Sequence, residues 1–195
     1  MKKTVYSLAF AAAALVAAPA AQAQYAPAPV RLVIGGGITG GGDRLATVYY
    51  NTGNSYDITA GSLIHVFVGG EWRVAPRVSM QANVGYHFDR TDASNGSIRF
   101  ERFPIELLAH YDINPVFRLG GGVRFVTGAK LAGTGAVGGD IDFQSTTGLV
   151  LEGEYMMSSN LGLKLRAVPV EDYTPSGGGS KLNGSHVGFY LTGYF

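Results

Sequence analysis

Apolar and polar side chains alternate with a period of two residues along most of this 195-residue chain. In the stretch LVLEGEYM, Leu149 and Leu151 fall on one face of an extended segment, and Glu152 and Glu154 fall on the other. Such alternation is typical of β-strands whose two faces meet different surroundings, whereas an amphipathic helix repeats about every 3.6 residues. The chain is therefore predicted to be all-β.

Eight alternating segments can be marked, and the links between them alternate in length. The segments cover 31–41, 60–74, 77–90, 98–112, 116–129, 141–157, 161–173 and 184–195. Three links are tight turns, and the others are longer, more polar loops at 42–59, 91–97, 130–140 and 174–183. Most segments reach the roughly 9–11 residues that a tilted strand needs to cross a membrane. This layout predicts an eight-stranded antiparallel transmembrane β-barrel with aromatic residues near its strand ends.

Charged residues on the polar parity are predicted to fill the interior. A barrel of eight strands is only wide enough for side chains, and buried charges need partners of opposite sign. The predicted interior charge network comprises Arg118, Arg124, Glu152, Glu154, Lys164 and Arg166. The same parity also includes Arg31, His65, Glu71, Arg73, Arg77, His87, Asp89, Glu106, His110, Asp112 and His186. A narrow ion pathway is the alternative to this packed core.

The segment IRFERFPIELLAHY departs from simple alternation. Ile98 and Phe100 share one parity, whereas Phe103 and the apolar residues after it share the other. A β-bulge near 101–103 would reconcile the two, because Pro104 removes a backbone donor just there. A second proline, in the seventh segment, predicts another irregularity close to the outer rim.

The first 23 residues have the layout of a secretory signal peptide. Two lysines precede a short, alanine-rich apolar run, and Ala21-Gln22-Ala23 offers a small-residue cleavage site. We expect a signal peptide over 1–23, a short leader over 24–30 and the barrel over 31–195. Removing the peptide leaves 13 basic and 14 acidic residues, a balance that does not indicate a nucleic-acid partner. Cysteine is absent, so no disulfide framework is predicted.

Motifs for catalysis or ligand binding are sparse. Four histidines lie in four different segments and no H-E-x-x-H motif occurs, so no metal or cofactor site is predicted. His87 and Asp89 share the polar parity near the outer rim, with serines in the next loop, and form a weak candidate for an acyltransferase-like site. A structural rim pair is the alternative. Gly35, Gly37 and Gly40 match a dinucleotide fingerprint, but no amphipathic helix follows them.

The chain ends in HVGFYLTGYF, where Val187, Phe189, Leu191 and Phe195 form an apolar stripe. A strand of a closed barrel has no free edge, so such an ending is tolerated. With its signal peptide, eight alternating segments, long outer loops and terminal Phe195, the chain resembles the small eight-stranded outer-membrane barrels of Gram-negative bacteria, of the OmpX and OmpA-barrel type. The resemblance implies that the barrel-assembly machinery reads the strand that ends in Phe195.

We therefore expect an integral protein of the cell outer membrane with short periplasmic turns, longer extracellular loops and a filled, charged core. The predicted role is structural or a surface interaction, such as adhesion or binding, through the loops, and it is not enzymatic. Expected partners are outer-membrane lipid and lipopolysaccharide, the barrel-assembly machinery and an extracellular ligand. The alternatives are a small porin-like channel and a lipid A-modifying barrel enzyme.

Overall fold

The computed structural model describes residues 30–50, 54–93, 96–135 and 139–195, which form thirteen β-strands. Eight of these strands form the barrel: β1 (Val30–Gly41), β4 (Leu63–Ala75), β5 (Val78–Ala93), β6 (Gly96–Asp112), β7 (Phe117–Gly133), β9 (Thr146–Ser158), β10 (Leu161–Val170) and β13 (His186–Tyr194). Each pairs antiparallel with the next, and β13 pairs with β1. The sheet closes on itself, which confirms the predicted barrel. In these ranges, no helix is long and apolar enough to cross a membrane.

The five remaining strands are short and lie in the longer connections. A hairpin between β1 and β4 is formed by β2 (Arg44–Tyr49) and β3 (Ser55–Thr59). The outer end of β7 pairs with β8 (Gly139–Asp142), and β11 (Asp172–Tyr173) pairs with β12 (Leu182–Asn183). Most of the loop predicted over 91–97 is strand, because β5 and β6 continue their pairing outward to Ala93 and Gly96. The signal peptide and most of the leader lie outside the described residues.

The outward side chains of the barrel strands are apolar, as a lipid-facing wall requires. Leu151 is 57% exposed and Phe189 is 61% exposed on the outer wall. Large apolar side chains at these positions are suited to contact with lipid. Trp72 and Phe117 lie exposed near strand ends, in the position of interfacial aromatic residues. Phe195 exchanges two backbone hydrogen bonds with Leu32, of 2.8 and 2.9 Å, so the terminal residue completes the closing seam.

In strand β6 the same set of alternate residues faces the interior from Ile98 to His110. This corrects the sequence-based expectation that a bulge near 101–103 reverses the two faces. Ile98, Phe100 and Arg102 are buried on the same face as the charged core residues. The register of β6 against β7 does shift between Glu101 and Phe103. The extra residue, however, belongs to β7, where Gly128 has a φ of +59°, a conformation that glycine adopts without steric cost. Ile98 and Phe100 therefore point into the outer end of the barrel and not toward lipid.

Candidate functional site

The inner part of the core is organised around Glu152. This carboxylate accepts hydrogen bonds from Arg166 Nε at 2.6 Å and His110 Nε2 at 3.0 Å, and Lys164 Nζ lies 2.8 Å away. The tight turn between β9 and β10 sets Lys164 opposite Glu154 and Arg166 opposite Glu152. The acids and bases of the two strands face each other across the ladder, as the alternation predicted.

A second set of ion pairs closes the periplasmic end. Arg118 donates to Glu154 at 2.7 Å and to Glu71 at 2.6 Å, and Glu71 also pairs with Arg31. The Tyr194 hydroxyl donates to Glu154 at 2.7 Å, and the ring of Tyr194 packs against the guanidinium groups of both arginines. The terminal strand thus contributes a core residue immediately before the lipid-facing Phe195.

The outer part of the core contains Arg124, which pairs with Glu171 at 2.9 Å and with Glu106 at 3.4 Å. Glu106 also pairs with Arg166 at 2.8 Å, so the outer pairs join the inner ones. The buried cations of the described chain are Arg31, Arg102, Arg118, Arg124, Lys164 and Arg166, and the buried carboxylates are Glu71, Asp89, Glu106, Glu152, Glu154 and Glu171. Six positive and six negative charges make the core neutral, which favours a packed interior.

Five charged residues differ in burial from the sequence-based expectation. Arg77 is exposed at the turn between β4 and β5, because the alternation of β5 begins one residue later. Arg73 and Asp112 form a half-buried pair at 2.9 Å near the periplasmic rim. Arg102 and Glu171 are fully buried core residues that the alternation missed. Arg102 lies where the parity of β6 looked broken, and Glu171 follows the register shift between β9 and β10.

All four histidines are buried inside the barrel, but His87 and Asp89 do not form a pair. His87 contacts Arg102 Nη2 at 2.8 Å and Thr39 Oγ1 at 2.9 Å. Asp89 instead accepts a hydrogen bond from the Tyr56 hydroxyl at 3.0 Å. Among the described residues, His87 and Asp89 therefore have different hydrogen-bond partners. Ser94, one of the loop serines, lies outside the described residues.

An apolar cap covers the outer end of the charged core. It consists of Val48, Ile58, Ala60, Ile98, Phe100, Val126, Ala129, Leu131, Phe143 and Tyr173, which come from the barrel strands and the loops above them. The β2–β3 hairpin packs over this end, where burial and the Asp89 carboxylate raise the pKa of Tyr56 to about 12. The buried Tyr173 hydroxyl donates to Glu171 at 2.5 Å, which links the cap to the core beneath it. The unexpected parity of Ile98 and Phe100 was the sequence signal for this cap.

Four basic residues on the outer surface are paired with acids. The ion pairs are Arg44–Asp57 at 3.7 Å, Arg90–Asp92 at 2.9 Å, Arg99–Glu101 at 3.1 Å and Lys130–Asp140 at 2.7 Å. Their side chains are mostly solvent-exposed, so each pair contributes little to stability.

A closed antiparallel barrel with an apolar outer wall, aromatic strand ends and a neutral ionic core is a transmembrane β-barrel of the outer-membrane class. Residues 8–192 match the family model described as the outer membrane protein beta-barrel domain. The chain belongs to this family and is an integral protein of the outer membrane. Within the described ranges, no group of three or more His, Cys, Asp or Glu residues could hold a metal ion.

Several solved structures are similar to this chain. The attachment invasion locus protein Ail of Yersinia pestis is 11% identical, with a TM-score of 0.54, and the match covers 85% of this chain and 96% of Ail. Neisserial surface protein A is 10% identical over 86% and 96% of the two chains, with a TM-score of 0.45. OprG from Pseudomonas aeruginosa is 13% identical over 89% and 98%, also with a TM-score of 0.45. Comparison with curated proteins finds no match. At these identities the structural likeness concerns the fold alone.

Proposed function

We propose that this barrel acts at the cell surface as a binding or adhesion protein, or as a structural element, through its extracellular loops. The supporting observation is that two layers of packed side chains fill the interior of the barrel. One is the neutral ionic core, and the other is the apolar cap above it. A porin-like channel needs a continuous wet path, whereas here Arg166 and Arg124 bridge carboxylates from several strands across the interior. We therefore propose that the described state does not conduct ions.

The ion pairs of the outer surface restrict the class of ligand that we propose. Ail was solved in complex with the heparin analogue sucrose octasulfate, a ligand that needs unpaired cations. Of the described cations on the outer side of this chain, Arg44, Arg90, Arg99 and Lys130 are each paired with a carboxylate, and Lys181 is a single exposed lysine on the loop between β11 and β12. We propose that recognition here does not depend on sulfated sugar and instead uses the shape of the β2–β3 hairpin and the outer ends of β5 to β8.

We also propose that the barrel is not a lipid-modifying enzyme. A general base must lie within hydrogen-bond reach of the proton that it removes. All four histidines are on the inner side of the wall, and His87 contacts Arg102 and Thr39, not a carboxylate. The outer wall at the same level presents apolar and aromatic side chains to the membrane.

The surface-binding proposal is tested by blocking one end of the barrel without changing its core. Ser176, on an outer loop, and Ser159, on a periplasmic turn, are both exposed. Each is replaced by cysteine and coupled to polyethylene glycol, and binding of the reconstituted protein to cultured epithelial cells is measured. The polymer at residue 176 is expected to abolish binding and the polymer at 159 to leave it unchanged, with heparin having no effect as a competitor. Stable conductance of the wild-type protein in planar bilayers, or equal binding by both conjugates, would contradict the proposal.

We further infer that Phe195 is the residue through which the assembly machinery recognises the chain. Phe195→Ala is expected to lower the fraction of heat-modifiable, folded protein in cells several-fold. The control is Tyr194→Phe, which keeps the ring and loses the hydroxyl bonded to Glu154, so that stability falls but assembly does not. Refolding in detergent, without the machinery, should be similar for Phe195→Ala and the wild type. Equal cellular assembly of the two variants would refute this role.

A further inference from the structure

Residues 60–62 join the β2–β3 hairpin to β4, and buried side chains hold them at the outer end of the barrel. Arg102 donates hydrogen bonds to the carbonyl oxygens of Ala60 and Ser62, and the bond to Ser62 is 3.1 Å long. The carbonyl between them, on Gly61, accepts from the Thr39 hydroxyl at 2.6 Å. Three consecutive carbonyls are therefore bonded to side chains of the barrel wall. Because Ala60 belongs to the apolar cap, these bonds also hold the hairpin over the core.

His87 contacts both of the side chains that hold this segment. Its Nε2 lies 2.9 Å from Thr39 Oγ1, and Arg102 Nη2 lies 2.9 Å from its Nδ1 and 2.8 Å from Nε2. Arg124 Nη2 also faces Nδ1, at 3.1 Å. Because the Thr39 hydroxyl donates its hydrogen to Gly61, it accepts from the Nε2–H group of the imidazole. Guanidinium groups can only donate, so Nδ1 is the acceptor, and the contacts require a neutral His87.

The surroundings of His87 offer no anion to a second proton. The rings of His65 and His186 lie 5.0 and 5.3 Å from its own. The charged and titratable groups around these three rings are Tyr56 of β3, Asp89 of β5, Arg102 and Glu106 of β6, Arg124 of β7, Glu152 of β9, Arg166 of β10, Glu171 and Tyr173 after β10, and Tyr190 of β13. In the described chain no carboxylate is hydrogen-bonded to any of the three imidazoles. His110, by contrast, has the Glu152 carboxylate at 3.0 Å.

We propose that His87 is a pH-sensitive switch that releases residues 60–62, and with them the β2–β3 hairpin, when its Nδ1 takes up a proton. The protonated Nδ1 can no longer accept from Arg102 or Arg124, and its charge repels both guanidinium groups. Arg102 then leaves the carbonyls that it holds, and the hairpin separates from the apolar cap.

The direction of the pH dependence follows from the number of bound protons. The released state binds one proton more than the closed state, so acid favours release. A solvated histidine takes up its proton near pH 6.5, and release is therefore expected only below about that pH. The switch would control one of the surfaces through which we propose that the barrel binds a ligand. Its operation does not require that ligand.

The test measures the position of the hairpin directly, through the distance between two nitroxide spin labels. The chain has no cysteine, so cysteines introduced at Ser55, on β3, and at Thr147, at the outer end of β9, carry the labels. Both residues are exposed. Double electron–electron resonance is recorded in phospholipid nanodiscs at about pH 8 and about pH 5, between which a histidine changes its charge. A single distance is expected at the higher pH, and a longer one should grow several-fold in population at the lower pH.

His87→Gln removes the titration and keeps the hydrogen-bond pattern. A glutamine side chain can donate to Thr39 through its amide nitrogen and accept from the arginines through its oxygen, but it does not titrate. The labels should therefore report the same single distance at both pH values. His110→Gln is the matched control, because it also replaces a buried histidine, but one that is bonded to Glu152. Its hairpin should respond to acid as the wild type does.

Two further variants separate this switch from other effects of acid. Asp89→Asn removes the carboxylate that accepts from Tyr56 of the hairpin, and the response to acid should persist. Thr39→Val keeps the shape of the side chain but removes the hydroxyl between His87 and Gly61. It should show the longer distance already at the higher pH. Heat modifiability verifies beforehand that each labelled variant is folded.

Four results would overturn the proposal. The wild type could keep one distance at both pH values, or His87→Gln could respond to acid as strongly as the wild type. The response could also disappear in Asp89→Asn, which would assign it to a carboxylate. An unchanged distance in Thr39→Val at the higher pH would show that the hydroxyl does not hold the segment, and this result decides the matter if His87→Gln does not fold. None of these measurements depends on whether the outer loops bind a surface ligand.

Discussion

Arg166→Ala is expected to lower the free energy of unfolding of the barrel by about 3–5 kcal/mol, because it leaves one buried negative charge of the core uncompensated. The Arg166 guanidinium donates to Glu152 at 2.6 Å and to Glu106 at 2.8 Å, and it is fully buried. Its removal leaves Glu106 with only a longer contact to Arg124, at 3.4 Å, among its ion pairs in the described chain. The measurement is urea unfolding of protein refolded in phospholipid vesicles.

Arg44→Ala is the control for this experiment. It also removes one guanidinium from an ion pair, but the Arg44–Asp57 pair is exposed and 3.7 Å long. Exposed pairs contribute about 0–1 kcal/mol, so this variant should unfold close to the wild type. A double variant, Arg166→Met with Glu152→Gln, should recover part of the lost stability, because removing both charges leaves less uncompensated charge than removing one. Equal losses for the two single variants would contradict the ionic-core description, as would a large conductance in Arg166→Ala.

The alternation of the sequence was sufficient to predict the barrel and most of its interior. Glu152, Glu154, Lys164 and Arg166 lie on two strands joined by a tight turn, so their parity alone set them opposite one another. The constraint is physical: a one-residue slip would exchange the lipid-facing and core-facing side chains of a whole strand. Because lipid and the ionic core select such different side chains, the alternation of residues is enough to predict which face of a strand points inward.

The apolar cap was not predicted, because the same rule assigns every apolar stripe to lipid. Ile98 and Phe100 are apolar and face inward, since at that height the interior is covered by the outer loops. Arg102 was missed for the same reason: its neighbours made the face of β6 look reversed. Among the described residues Arg102 makes no ion pair, and it donates to backbone oxygens of Ala60 and Ser62. The only trace of the covering loops in the strand below them was the inward parity of Ile98 and Phe100, which alternation alone interprets as a bulge.

The role of Tyr194 also depends on long-range contacts that a pattern cannot supply. Its inward parity was predictable, but its bonds to Glu154 and Arg118 join the last strand to strands far earlier in the chain. Tyr194→Ala would therefore disturb stability as well as assembly. For this reason the conservative Tyr194→Phe is the better comparison for the recognition of Phe195.

Leu151→Arg is expected to lower the free energy of unfolding by about 2–4 kcal/mol if residue 151 lies near the bilayer midplane. Leu151 is 57% exposed on the outer wall, and it lies near the middle of β9. An arginine there must either remain in hydrocarbon or extend to the interface, and both cost free energy. The change does not touch the ionic core, because the neighbouring Glu152 points to the other face. Unfolding in vesicles against urea provides the measurement.

Thr147→Arg provides the comparison that makes this a test of depth. Thr147 is exposed on the same face of the same strand, but it lies at the outer end of β9. Near the interface an arginine should cost only about 0–1 kcal/mol. Leu151→Ala removes apolar contact without adding charge, so its smaller loss measures the packing part of the effect. If Leu151→Arg and Thr147→Arg lost the same stability, the wall would not span a hydrocarbon layer at the depth that the strands define, because only that layer makes the cost of a charge depend on its position.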